Sequence, residues 1–169
     1  TFESDQDSAR LGSSVASAAD NNGDGFSDVI VGAPLFDNGQ TDEGRASFSL
    51  GSAGGLALAP AWTQESNYAG GQYGTSVAGV GDVNGDGFGD IVVGIPFYAN
   101  GGRTYLYLGN APGQLSSAAW AAEGIQPNAE FGYAVAPAGD VNGDGYADVI
   151  VGAPFYDNGQ TDEGRAYLY

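Results

Sequence analysis

The sequence predicts an all-β fold made of three propeller-type blades, each of four antiparallel strands. Three observations carry that expectation. The segments "LGSSVASAADNNGDGFSDVIVGAP" from Leu11, "YGTSVAGVGDVNGDGFGDIVVGIP" from Tyr73 and "FGYAVAPAGDVNGDGYADVIVGAP" from Phe131 are copies of one pattern. Their first loop acids, Asp20, Asp82 and Asp140, set periods of 62 and 58 residues. Second, 30 glycines among 169 residues argue against long helices, because a glycine costs a helix about 1 kcal/mol relative to alanine. Third, each copy holds short apolar and alternating runs punctuated by turn residues, and the 12% aromatic content argues against disorder. Four-stranded units recurring at this spacing fit propeller blades.

Each blade is read in order. The first strand is the short alternating stretch around Val15, Val77 and Val135. The second is "DVIVGAP", "DIVVGIP" or "DVIVGAP", continuous rather than alternating and therefore expected to be buried on both faces. Pro34, Pro96 and Pro154 end it, since proline cannot donate to a ladder. The third strand, "RASFSLG", "RTYLYLG" or "RAYLY", alternates with period two. The fourth centres on Trp62 and Trp120; "SSAAWAAEG" is alanine-rich enough for a helix, but its alignment with "PAWTQES" makes it a strand. The difference in period comes from "DNGQTDEGRA" in copies one and three against "ANGGRT" in copy two, which places an exposed loop there.

The domain reading is residues 1–10 as a strand equivalent to a fourth blade strand, repeat 1 over 11–72, repeat 2 over 73–130, and repeat 3 over 131–169 without its fourth strand. "TFESDQ" aligns with "AWTQES", which sets Phe2 at the tryptophan position. A donor strand at one end and an unfilled edge at the other predict strand exchange between chains, as a closed ring or an open filament. The competing expectation is a window on a longer array.

Composition bounds the chemistry. Twenty-one acids against four arginines give a net charge of −17, which disfavours nucleic acid and anionic membrane partners. With no histidine, cysteine or lysine, the chain lacks the usual general base, thiolate zinc ligands and disulfides. No apolar run approaches the ~18–20 residues of a membrane span, so membrane insertion is not expected.

Within "GDVNGDGFGD", Asp82, Asn84, Asp86 and Asp90 occupy positions 1, 3, 5 and 9 of a loop bent around a hard cation. A helix–loop–helix calcium hand would end in glutamate at position 12, but here that residue is Val93, inside the apolar strand. Asn-Gly and Asp-Gly alone would be ordinary turn chemistry. Three copies, each with three aspartates in nine residues, favour a cation instead, since those carboxylates would otherwise repel one another. Calcium suits the loop better than magnesium, which demands strict octahedral geometry. Three calcium ions would bring the formal charge to about −11.

An aromatic or leucine followed by glycine, then Asp-x-Asn-x-Asp-Gly-x-x-Asp, then Val-Gly-x-Pro, resembles the FG-GAP repeat of integrin α-subunit propellers and of many secreted bacterial proteins. In that family positions 1, 3, 5 and 9 supply side-chain oxygens and position 7 a backbone carbonyl. The resemblance therefore implies three calcium sites: Asp20, Asn22, Asp24, Phe26 and Asp28; Asp82, Asn84, Asp86, Phe88 and Asp90; Asp140, Asn142, Asp144, Tyr146 and Asp148. Gly25, Gly87 and Gly145 sit at the sharp turn, where positive φ is expected. With no helix after position 9, the ion is expected to staple a rigid turn and not to switch it.

The recurring Arg45, Arg103 and Arg165 are expected to pair with nearby acids such as Glu43 and Glu163, and Tyr105, Tyr107, Tyr167 and Tyr169 to pack between blades with Trp62 and Trp120. The loops after Gly-x-Pro belong on the face opposite the calcium loops. By the integrin resemblance that face binds ligands, through Phe36, Tyr98 and Tyr156. The function implied is a non-catalytic, secreted or cell-surface calcium-binding module for adhesion or protein and glycan binding. The alternatives are a structural subunit of an extracellular filament, or the non-catalytic propeller of a larger secreted enzyme.

Overall fold

The computed structural model describes residues 3–111, 113–115 and 117–169. Its eleven strands form three antiparallel sheets with no helix among the described residues. Blade 1 is β1 (Ser14–Ser17), β2 (Val29–Ala33), β3 (Arg45–Ser49) and β4 (Trp62–Glu65), paired in chain order. Blade 2 repeats this with β5 (Ser76–Gly81), β6 (Asp90–Ile95), β7 (Arg103–Tyr107) and β8 (Trp120–Glu123). Blade 3 has β9 (Ala134–Gly139), β10 (Asp148–Ala153) and β11 (Arg165–Leu168). The alanine-rich stretch is a strand as expected: Ala121 and Ala122 stand opposite Tyr105 and Thr104, and that ladder outweighs alanine's preference for helix.

The continuous apolar character of the second strand has a simple cause. Every residue of β6 is buried. Ile91, Val93 and Ile95 face a core shared with Phe48, Tyr73 and Tyr107, whereas Val92 faces one shared with Phe131, Val149 and Val151. One strand thus serves two inter-blade cores, and Val93, the missing glutamate of the loop, is fully enclosed. Innermost strands follow one another, β5 lying against β1 and β9 against β5.

Blade stacking is built by the ends of the repeat motif. A Cβ placed on Gly32 would lie 2.0 Å from the carbonyl oxygen of Gly74, and one on Gly94 would lie 2.0 Å from that of Gly132. Only glycine admits such an approach. Ser14 and Ser76 donate their hydroxyls to those same carbonyls, each at 2.7 Å. The aromatic-Gly of one repeat and the Gly-x-Pro of the repeat before it are therefore two halves of one contact. Single parallel bridges, Gly44 to Tyr73 and Gly102 to Phe131, extend it.

The tyrosine stripe packs between blades, as the sequence predicts. Trp62 meets Tyr107 edge-on at 4.8 Å, and Trp120 meets Tyr169 at the same distance. Tyr73 donates its hydroxyl to that of Tyr107 at 2.7 Å within the first core. Burial pushes the Tyr107 phenol up to about 12, and it raises the Tyr73 phenol as well.

Among residues 3–10, residues 5–8 form a turn and none is in a strand. Phe2, expected at a tryptophan position, lies outside the described residues. The register of the segment is set by Gln6, whose amide donates to the Asp37 carbonyl at 2.8 Å and accepts from the Asp37 N–H at 2.7 Å. Gln126 makes the same pair with Asp157, at 3.0 and 2.6 Å. Gln6 and Gln126 each precede a repeat glycine, Gly12 and Gly132, by six residues. Glu3 therefore corresponds to Glu123, two residues away from the alignment read in the sequence.

Candidate metal centre

Each acidic loop joins the first and second strands of its blade, and the three loops fold alike. Position 1 organises the turn. Asp20 accepts from the N–H groups of Asp24 and Gly25 at 3.0 and 2.8 Å. Asp82 accepts from Gly85 and Asp86 on one oxygen, at 2.7 and 3.1 Å, and from Gly87 on the other at 2.7 Å. Asp140 does the same with Gly143, Asp144 and Gly145, at 2.7, 3.1 and 3.0 Å. The chain can close so tightly because Gly25, Gly87 and Gly145 hold φ of 89°, 89° and 93°.

Positions 3 and 5 interlock. Asn22, Asn84 and Asn142 donate their amides to Asp24, Asp86 and Asp144 at 3.0, 2.9 and 2.9 Å. Those aspartates accept from the N–H groups of Phe26, Phe88 and Tyr146, at 3.0, 3.0 and 2.9 Å.

Position 9 is tied to the sheet. Asp28 is fully buried and accepts from Asn21 N–H at 2.9 Å and from Gly51 N–H, just past β3, at 2.8 Å. Asp90 is held likewise by Val83 and Gly109, each at 2.8 Å. Asp148 accepts from Val141 at 2.8 Å. Burial pushes the carboxyls of Asp28 and Asp90 above the usual range; their N–H partners oppose this, and the negative charges of the position 5 and position 1 aspartates add to it. For Asp82 burial also pushes upward, but donors from Gly87, Gly85, Asp86 and Asn84 together outweigh it, so its carboxyl is lowered.

The donor set is entirely oxygen, which is the chemistry of a hard divalent cation. Neither ion pair of the described residues involves a loop carboxylate, so no arginine neutralises the cluster. The carboxylates do not stand ready-made as a metal cluster among the described residues. They serve as hydrogen-bond acceptors; one oxygen of Asp82 and of Asp140 already accepts two N–H groups, but the other accepts one and so retains a second lone pair, as do the bonded oxygens of the position 9 aspartates. The residues fit calcium on that ground.

Two contacts between loops were not legible in the loop motif. The position 1 carbonyls of Asp20 and Asp82 accept from the position 8 amides of Gly89 and Ala147 in the next loop, each at 3.1 Å. A Cβ on Gly23 or Gly85 would come within 3.0 or 2.7 Å of the Phe88 or Tyr146 ring. Position 7 thus contributes a ring that lies on the position 4 glycine of the preceding loop, besides the carbonyl the sequence assigns to it. Asn21 is a further addition: fully buried, it donates its amide to the Gly89 carbonyl, leaving its side-chain oxygen without a partner.

The arginine pairing differs from the expected one. Arg45 stands opposite Glu65 across β3 and β4 and donates its Nε at 2.7 Å, and Arg103 pairs with Glu123 in the same register. Glu43 is instead buried and accepts from Asn38 N–H at 2.6 Å, while Glu163 is exposed. Cross-strand register decides the partner, because it brings those side chains to the same face. The guanidinium groups of Arg45, Arg103 and Arg165 lie 3.6, 3.9 and 3.9 Å over Phe36, Tyr98 and Tyr156. Phe36 is buried and the two tyrosines half-buried, with the arginine covering one face of each ring.

Blades of this kind, locked together through aromatic-Gly and Gly-x-Pro and opened by an all-oxygen loop, define a β-propeller repeat protein. The chain belongs to the FG-GAP repeat family, which it matches over residues 11–48, 73–107 and 131–169. It is 37% identical over 166 residues to integrin alpha-V of Gallus gallus, covering 90% of this chain and 16% of that protein. It is 34% identical over 158 residues to integrin alpha-IIb of Homo sapiens, covering 88% and 15%. Integrin alpha-PS2 of Drosophila melanogaster is 34% identical over 160 residues, covering 85% and 11%. The chain thus spans a small part of the length of these relatives.

Proposed function

We propose that this chain is an extracellular, non-catalytic recognition module of the adhesion type, whose three acidic loops bind calcium as structural staples. The observation that supports it best is the threefold recurrence of one hydrogen-bonded, all-oxygen loop with buried carboxylates and no cationic side chain to balance them. Asp20, Asn22, Asp24 and Asp28, with the Phe26 carbonyl, would hold the first ion. Asp82, Asn84, Asp86 and Asp90, with the Phe88 carbonyl, would hold the second. Asp140, Asn142, Asp144 and Asp148, with the Tyr146 carbonyl, would hold the third. Bound calcium would supply positive charge and cross-link the turn. The chain's own residues do the remainder: positions 1 to 5 fix the turn, and position 9 anchors it to the sheet.

Because the two ends of each loop are fixed in one blade, binding stabilises and does not switch. Recognition belongs to the opposite end of the blades, where the loops after Gly-x-Pro meet the loops before the next repeat, as in Gly70 N–H to the Thr41 carbonyl at 2.8 Å. The likeness to integrin α-chains supports a protein or glycan ligand there. Calorimetric titration of the chelator-treated chain tests the metal reading, with uptake of three calcium ions expected. Absence of binding at millimolar calcium would overturn it. Binding to an array of matrix proteins and glycans tests the recognition role.

A further inference from the structure

We propose that Tyr68 and Tyr98 form an oxidative cross-linking site, at which a peroxidase-type one-electron oxidant joins the two phenols into dityrosine. Tyr68 lies in the loop that precedes repeat 2, and Tyr98, 30 residues further on, lies in the loop after Gly-x-Pro of blade 2. A bond between them would fasten the two loops where ring contact now joins them.

The same junction is closed differently in the other two blades. Six residues before the repeat glycine stand Gln6 and Gln126, and each amide grips the N–H and carbonyl of one loop residue, Asp37 or Asp157. In repeat 2 that position is Tyr68, and the loop facing it is the shortened one. A phenol lacks the amide's separate donor and acceptor atoms. Its ring instead meets the Tyr98 ring with centres 4.8 Å apart and planes inclined at 42°. Because the fold makes this junction with an amide elsewhere, the ring pair is a property of this junction and not of the blade.

The pair is both held and reachable. Tyr68 donates its N–H to Ser66 Oγ at 3.1 Å and accepts from Gly71 N–H at 3.0 Å. Tyr98 donates its N–H to the Ile95 carbonyl at 3.2 Å and accepts from Gly102 N–H at 3.0 Å, while the Arg103 guanidinium lies 3.9 Å over its ring. Tyr68 is 39% exposed and Tyr98 half-buried, so an oxidant in solution has access. Two reacting groups held together couple in an effectively unimolecular step. No other tyrosine pair among the described residues combines these properties. Tyr73 and Tyr107 are buried, and the ring centres of Tyr105 and Tyr107, Tyr73 and Tyr105, and Tyr156 and Tyr167 are 6.2, 6.4 and 6.5 Å apart. Tyr133 and Tyr146 are well exposed but stand against no other ring among the described residues.

The chemistry balances with hydrogen peroxide as terminal oxidant. A peroxidase removes one electron from each phenol, and each hydroxyl proton passes to solvent, leaving two phenoxyl radicals. These couple through one ring carbon ortho to each oxygen, which forms a single carbon–carbon bond. The hydrogens on those two carbons leave as protons, and the two oxygens are reprotonated, so both phenols are restored. The pair loses two electrons and two protons in all, and the peroxide that accepts them becomes two molecules of water.

Treating the whole 169-residue chain, kept dilute, with a haem peroxidase and hydrogen peroxide tests the site. Dityrosine fluorescence is expected in a product that still migrates as a single chain of 17.0 kDa under denaturing conditions. Mass spectrometry of its digest should find the peptides of Tyr68 and Tyr98 joined. Tyr68→Phe and Tyr98→Phe keep the ring and lose only the hydroxyl, and each should cut the yield within the chain by about tenfold or more. Tyr133→Phe should leave it unchanged. A link made in the folded chain closes a loop in the unfolded one and should raise the melting temperature by about 5–15 °C. The proposal is overturned if no dityrosine forms, if it forms mainly between chains or at other tyrosines, or if Tyr68→Phe retains the parent's yield. A linked chain that melts with the parent overturns it as well. The proposal stands on the ring geometry alone, so its failure would leave the calcium and recognition readings untouched.

Discussion

Replacing Gly94 by alanine should cost this chain a large part of its stability, although the change adds a single methyl group to a strand. The added Cβ would lie 2.0 Å from the Gly132 carbonyl oxygen and 2.3 Å from Ser76 Oγ. Neither is the far end of a flexible chain: one is backbone of blade 3, and the other is the hydroxyl bonded to it at 2.7 Å. Relief requires blade 3 to move back by about 1 Å, opening a core that contains Val92, Phe131, Val149 and Val151. Overpacking of this kind costs about 1–3 kcal/mol, and the lost hydroxyl–carbonyl bond adds about 1 kcal/mol. For a chain of this size a total of roughly 2–4 kcal/mol corresponds to a melting temperature lower by about 4–16 °C. Thermal unfolding followed by tryptophan fluorescence, at high dilution and in excess calcium, is the assay. Gly32→Ala should behave alike, and Gly152→Ala should melt with the parent. A Gly94→Ala chain melting within about 2 °C of the parent would refute the claim that the glycine exists for close blade approach.

Other expectations follow from the same geometry. Excess chelator should lower the melting temperature, since each site contributes about 2.7 kcal/mol when calcium stands at a hundredfold its dissociation constant; an unchanged curve would exclude a stapling role. With calcium removed, Asp90→Asn should cost about 1–3 kcal/mol in urea titration, because one of its two N–H partners would face an amide donor. Asp148→Asn should cost less than about 1 kcal/mol, since its carbonyl oxygen can be kept on the Val141 N–H; equal losses at the two sites would refute the distinction. Arg45→Ala should cost about 1–2 kcal/mol, losing Glu65 and the stacking over Phe36, and Arg165→Ala about 0.5–1 kcal/mol, losing its contacts with the Tyr156 and Tyr167 rings but no ion pair; the same titration compares them.

The blades were legible because repetition amplifies weak signals. One alanine-rich stretch around Trp120 could not be told from a helix, but its alignment with Trp62 settled it, and β8 is a strand. The loop was legible because oxygen ligands at fixed spacing in a turn leave a local signature, as the positive φ at Gly25, Gly87 and Gly145 bears out. What escaped was the information carried by register. Arg45 is closer in sequence to Glu43 than to Glu65, yet strand pairing sets it against Glu65. The ring of Phe88 and the glycine at 23 are far apart in the chain and meet only when two blades stack. Nor does anything local indicate that the arginine of the third strand folds over Phe36, Tyr98 and Tyr156.

The acidic loops and the blade junctions, which the sequence treats as separate motifs, are mechanically one system. The position 1 aspartate organises its own turn through its carboxylate and holds the next turn through its carbonyl, as Asp82 does with Gly85 on one side and Ala147 on the other. Its position 9 partner Asp90 reaches across the blade to Gly109. A cation bound at the carboxylates would therefore restrain three backbone segments in two blades. Stiffening one loop should raise the protection of its neighbour against amide exchange, most visibly at Gly89 and Ala147, whose N–H groups cross between loops. Calcium-dependent protection confined to residues 82–90 when that loop alone is occupied would separate the loops again. Protection spreading to Ala147 would establish that the repeat transmits the staple from blade to blade.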